Sequence, residues 1–406
     1  MRSGLFFAAA LLAVCATGAS ALELTDDLTV TGYGDVRVVA PSGPVPYLNG
    51  GLGKFRYGNG DVRAWFAEAV AQIDWRITDE FAAVGVARVE PFTPSVVDAL
   101  EAYVRYAPRS EGALSVSAKA GVFFPTISLE NDDLGWASPY TLTPSAINSW
   151  IGDELRTIGS EATARWKTDG LGTVSLIGAV TCCNDEAGIL MADRGWTFND
   201  RPIGLFERVR LPTQTLVLQR SAPYGRSGMF DEIDGRVGWY AGATWQMPGL
   251  GKLSLLRYDN EGDPYAKSLR DPAWDTRFWS AGYRTDIGPV MLLAQALRGD
   301  TVVAGPTFVA HTKFQSAYLL ASYDWENWRF SAREDLFATR RANATNNIWS
   351  EDGDAFTTAV SYAPRDWLRL TGELIAMNSR RGEYVPAGLG LNRNDTQFQF
   401  STRFFY

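Results

Sequence analysis

Residues 395–406 read DTQFQFSTRFFY. In an extended chain, successive side chains point to opposite faces. Phe398, Phe400, Thr402, Phe404 and Tyr406 therefore share one face, and Gln397, Gln399, Ser401 and Arg403 the other. Chain ends fray unless something ties them down, so an aromatic strand at the very end needs a partner for its apolar face. Two settings supply one. The first is the edge of a secreted β-sandwich. The second is a closed barrel in a membrane, where lipid covers the apolar face, water meets the polar face, and closure leaves no free edge.

The same alternation recurs upstream. It predicts about sixteen segments of roughly ten residues, the length of a tilted membrane strand. They are 28–38, 62–75, 81–89, 98–106, 114–122, 159–166, 173–180, 236–246, 253–260, 275–284, 289–297, 314–324, 328–337, 355–362, 367–377 and 395–406. In the second, Trp65, Ala67, Ala69, Ala71, Ile73 and Trp75 are expected on one outward face, placing two tryptophans about 25 Å apart, the spacing of two aromatic girdles. Segments 253–260 and 314–324 alternate poorly and leave their phase open. Seven short, turn-rich links (76–80, 108–113, 167–172, 247–251, 286–288, 325–327 and 363–366) alternate with eight longer ones, including 123–158, 181–235 and 298–313. A soluble sandwich has no reason to sort its links by length; a transmembrane barrel does, with short turns on one side and long loops on the other. The expected fold class is all-β, a transmembrane antiparallel β-barrel of about 16 strands.

Composition agrees. The chain of 406 residues is 46% hydrophobic and 13% aromatic, with a formal charge of −8, which argues against nucleic acid as a partner. Met1 to Ala21 has the form of a signal peptide: Arg2, an apolar stretch over 5–14, then Ala19-Ser20-Ala21 as the cleavage site. Beyond it no run is long and apolar enough for a transmembrane helix, leaving 22–406 for the barrel. Cys182 and Cys183 then remain, too few for a disulfide scaffold or metal site, and open to bridging each other or staying as thiols.

The terminal strand resembles the C-terminal strand of bacterial outer-membrane β-barrels, which end in an aromatic residue after alternating apolar positions. That resemblance implies assembly by the barrel-assembly machinery, a place in a Gram-negative outer membrane, and contact with lipid and lipopolysaccharide. The number and order of elements resemble the sixteen-stranded porins, which implies a passive channel for small hydrophilic solutes or ions, a homotrimer, and a third long loop folded into the lumen. The PEFGG-type pattern common in that loop is missing here, so a phosphate-porin-like, anion-selective relative stays open, as does a plugged structural or adhesive barrel.

That third loop, 123–158, carries Phe123, Phe124, Trp136, Tyr140, Ile147, Trp150 and Ile151, too apolar for water. It can pack against the inner wall or fold outside as a lid. Packed inside, its acids Glu130, Asp132, Asp133, Asp153 and Glu154 would face the pore as a constriction. Against them the alternation sets lumen-facing Arg37, Arg105, Lys119, Arg165, Arg333 and Arg369, with Glu68, Glu101, Glu161 and Glu373 on the same faces, giving a transverse field that sorts solutes by charge. The acids of 130–133 have no spacing that enforces a calcium shell, and no metal is expected. The 181–235 link is locally basic, with Arg194, Arg201, Arg208, Arg210, Arg220 and Arg226. His311 is the lone histidine, and no serine of the chain sits in a nucleophile pattern such as G-x-S-x-G, so no enzyme, catalytic residue or cofactor is expected.

Overall fold

A computed structural model describes residues 22–406 except 61, 92, 94, 212–225, 270 and 343–346. The expected signal peptide, 1–21, and Arg220 lie outside the described residues. Among the described residues sixteen antiparallel strands close one sheet, to which the short strand Leu22–Thr25 adds by pairing with 28–30. They are β1 (Leu28–Pro41), β2 (Arg63–Arg76), β3 (Phe81–Val89), β4 (Val97–Tyr106), β5 (Leu114–Phe123), β6 (Thr157–Thr168), β7 (Gly172–Cys182), β8 (Gly238–Met247), β9 (Gly251–Asp259), β10 (Asp275–Ile287), β11 (Val290–Gly305), β12 (Phe308–Trp325), β13 (Trp328–Arg341), β14 (Glu351–Arg365), β15 (Leu368–Arg381) and β16 (Asn392–Phe405). Each expected segment falls on one of them.

The seam is made by the C-terminal strand. β16 pairs with β1 from Gln397 opposite Pro41 to Phe405 opposite Tyr33, and Gly32 and Tyr406 exchange backbone hydrogen bonds at 2.9 and 3.0 Å. Gly32 is needed there: a Cβ would lie 2.5 Å from the Val70 carbonyl and closer still to the Tyr406 ring. The alternation of the terminal strand holds, with Phe398 47% and Phe400 41% exposed while Gln397, Gln399, Ser401 and Arg403 are buried.

Two expectations are corrected. In β2, Glu68 pairs with Asp35 and Phe66 with Val36, so Ala67 is an extra residue in a β-bulge. A bulge shifts the phase of everything before it. Trp75 keeps its outward place at 52% exposed, but Trp65 pairs with inward-facing Arg37 and packs on Tyr57 at 5.0 Å inside the barrel. The pair therefore does not mark two girdles. Second, 298–313 is not a long loop: β11 and β12 continue through it in unbroken register to Gly305 opposite Phe308, a hairpin standing beyond the other strands.

The strands that alternated poorly have a physical reason to do so. The inward residues of β9 to β13 include Tyr258, Phe278, Leu293, Phe314, Leu320 and Phe337, all buried in one apolar cluster with Ile147, Trp150, Ile151 and Trp196 from the long links. These strands are apolar on both faces because a packed core lies against the inner one while the outer one keeps the apolar positions of the barrel wall.

Candidate functional site: the barrel lumen

The core is supplied by α1 (Ala146–Glu154), which sits within the barrel. Ser145 caps it, its side chain accepting from the Asn148 amide at 3.3 Å. The wall and the inner segment supply further acceptors at and before its N-terminus. Glu373 on β15 accepts from the Leu142 and Thr143 amides at 2.6 and 2.9 Å, Asp335 on β13 from the Ala146 amide at 3.1 Å, and Glu130 from the Ser145 amide at 3.0 Å. Trp150 then packs edge-on against Phe314 at 5.0 Å and Phe278 at 5.4 Å. The link from β5 thus crosses the lumen and is bonded to the far wall.

A second inner segment locks the first. In α2 (Ile189–Asp193) the Leu190 amide donates to Glu154 at 2.7 Å, as does the Gly188 amide before it at 3.1 Å. Burial pushes the Glu154 carboxyl up to about 7, against the pull of those donors. Ser149 and Asn199 exchange hydrogen bonds, Arg194 pairs with Asp153, and the Phe198 amide donates to the Lys54 carbonyl at 2.8 Å. Three long links form one packed body.

That body changes the meaning of the predicted charges. Glu130 lies 2.7 Å from Arg333, both fully buried; Asp153 and Glu154 are buried as well. None of these three acids faces water, because each is used to hold the inner segment. Arg37 and Arg333 likewise do not line an aqueous ladder. Arg37 is fully buried, pairing with Asp200, with Asp35 at 2.8 Å and with Gln399 at 3.1 Å, and Asp35 also accepts from Arg403 at 2.9 Å. Arg56 joins Asp200 to Glu90 at 2.9 Å each. Buried charges persist only when paired in this way.

Toward the short-turn end the picture differs. Arg105 and Arg165 are exposed, Lys119 pairs with Glu161 at 3.4 Å, Asp132 with Arg284 at 3.4 Å, and Asp133 with Arg369 at 3.5 Å. Acids of the inner loop do oppose bases of the wall here, in a half-open space. Lys252, Arg284 and Arg329 also face this space and were missed; the outward phase of Leu253, Tyr283 and Trp328 was the available signal.

At the long-loop end lies a cavity of about 740 Å³. Arg56, Arg63, Arg201, Arg208, Arg210 and Arg226 line it against Glu90 and Glu207, with Tyr57 and Trp65 as aromatic wall. Arg210 and Arg226 sit directly opposite each other in a two-stranded ribbon (Arg208–Arg210 with Arg226–Gly228). Like charges so placed repel, and both side chains are exposed. Cys182 and Cys183 are bridged to each other at the end of β7.

No protein-family profile matches the chain, and no curated protein matches it in sequence. Solved structures do. Salmonella typhi OmpF, in complex with daunomycin, superposes with a TM-score of 0.55 at 12% identity, covering 93% of this chain and 97% of its own. The fold is that of the sixteen-stranded porins. An anion-selective porin from Comamonas acidovorans gives 0.52 at 11% identity over 93% and 99%. Vibrio cholerae OmpT, in a trimer form, gives 0.51 at 11% over 94% and 100%. At such identities the likeness is one of porin fold.

Proposed function

We propose that the chain is an outer-membrane channel of porin type that passes small hydrophilic solutes and ions, anions in preference. Its selectivity comes from charge placement rather than from any cofactor. The observation that carries the reading is the pair of basic regions at the two ends of the lumen: exposed Arg63, Arg210 and Arg226 around the cavity above the inner segment, and exposed Arg105 and Arg165 with half-buried Lys119, Arg284 and Arg369 below it. The constriction between them is the inner segment, with Asp132 and Asp133 as its water-facing acids. Export through cleavage of 1–21, insertion by the barrel-assembly machinery, lipopolysaccharide contact by the basic 181–235 link and homotrimer formation belong to the same proposal. His311 has no catalytic part in it; it stands on the β11–β12 hairpin, 3.0 Å from Asp300.

A second reading is a plugged surface barrel, favoured by the apolar core that fills the middle of the lumen. Single-channel recording of the refolded protein in a planar bilayer, with reversal potential under a salt gradient, separates the two. Small, anion-preferring steps that grow when 128–149 is deleted support the channel. A silent barrel that stays silent after the deletion supports the plug.

A further inference from the structure

Glu186, Asp231 and Asp271 each bring a carboxylate oxygen within 4.8 Å of the others. They come from two links: Glu186 and Asp231 from the two ends of the one between β7 and β8, and Asp271 from the one between β9 and β10. Glu186 and Asp271 are 1% and 3% exposed. One oxygen of Glu186 accepts from the Ser227 hydroxyl at 2.6 Å and the Gly228 amide at 2.5 Å. Arg208 reaches Asp231 at 2.6 Å and Asp271 at 3.4 Å. The remaining oxygens, Glu186 Oε1 and Asp271 Oδ1, are buried without a hydrogen-bond partner among the described residues.

Buried carboxylate oxygens without donors are rare because nothing replaces the water they have lost. Among the described residues these three carboxylates meet a single guanidinium, that of Arg208, which leaves two negative charges uncompensated there. A neighbouring acidic group shows the contrast: Asp185 accepts from the Ile233 and Asp234 amides, and Glu232 from the Cys183 and Gly235 amides. Those acids are satisfied by backbone; the Glu186 group is not.

We propose that Glu186, Asp231 and Asp271 bind one calcium ion. A divalent cation closes the charge, and an all-oxygen, irregular donor set drawn from distant parts of two loops suits calcium better than magnesium, which demands near-octahedral geometry. The ion would fasten the ribbon that carries Arg210 and Arg226 to the barrel mouth. A shared proton is the competing solution, since burial and the nearby Asp271 and Asp231 charges push the Glu186 carboxyl up. The site does not depend on conduction, so it stands or falls apart from the channel reading.

The test uses the full mature chain, refolded into detergent free of lipopolysaccharide and stripped with EGTA. Calorimetric titration with calcium chloride should give one site per chain, with magnesium weaker by about tenfold or more. Glu186→Gln with Asp271→Asn should abolish it, while Glu232→Gln with Asp234→Asn should leave it intact. Should the double variant not fold, Asp231→Asn at a half-buried position must weaken binding instead. Absence of a calcium heat in the wild type, or binding unchanged in the Glu186 and Asp271 variants, overturns the site; equal affinity for magnesium overturns the assignment to calcium.

Discussion

Arg333 on β13 and Glu130 on the inner segment, 203 positions apart in sequence, meet at 2.7 Å with no exposed side-chain surface on either. Arg333 also holds Asp335 at 2.7 Å and donates to the Thr143 carbonyl at 2.8 Å. The two partners are therefore unequal. Glu130→Gln keeps the Arg333–Asp335 pair and an acceptor for the Ser145 amide, and should cost about 1 kcal/mol. Arg333→Met strands two buried carboxylates and should cost about 3–5 kcal/mol. Urea unfolding of both variants in detergent checks this; equal costs would mean that Arg333 does not bridge the two acids.

Trp150 anchors α1 to the wall of β10 and β12. Trp150→Ala should cost about 3–5 kcal/mol through the cavity it leaves. It should also raise single-channel conductance, because the helix loses its hold on Phe278 and Phe314 while the barrel wall persists. A stability loss with unchanged conductance would place α1 outside the conducting path.

The inner body should loosen as pH rises. Burial pushes Glu154 up to about 7 and, helped by the Glu383 charge, Asp193 up to about 8. Each carboxyl binds its proton more tightly folded than unfolded, so its contribution is fully present below the unfolded value near 4.5 or 3.8 and is lost as pH climbs through the folded one. Glu90, held near 2 by Arg56 and Arg201 despite burial, does not titrate in that window. Lys54, lowered by burial to about 8 despite Glu351, opposes the trend only above that pH. Conductance recorded from pH 5 to 7.5 should rise, and Glu154→Gln should flatten the curve.

At the short-turn end Arg105 and Arg165 are exposed, and Lys119 stands half-buried beside them, paired with Glu161. Replacing all three by glutamine should move the reversal potential toward cations, a several-fold fall in anion preference, with unfolding nearly unchanged because surface ion pairs contribute little. An unmoved reversal potential would remove this region from the permeation path.

Leu176 and Ile177 are adjacent on β7, yet one is 60% exposed and the other 8%. Leu176→Arg should cost about 2–4 kcal/mol in lipid vesicles if that face meets the bilayer. A negligible cost would mean that water covers it.

What the sequence determined by itself follows from the period of two. Alternation is a local property of an extended chain, and it sufficed to find sixteen strands, the outward Phe398 and Phe400, the inward Arg37, Lys119 and Arg333, and the links between strands apart from 298–313, which is a hairpin. It failed where a single residue broke the period: the bulge at Ala67 turned Trp65 inward, and nothing in a run of alanines marks which one is extra. It was also ambiguous at β9 and β12, where the inner face is apolar because a helix packs there. Tertiary structure alone decided which charges meet water. Arg37 reaches Gln399 across 362 positions, and Leu142 reaches Glu373 across 231. No local pattern encodes such pairs, because they exist only after the barrel closes and the long links fold into it. Inward direction was legible along the chain; whether an inward residue lines water or holds a core depended on what filled the lumen.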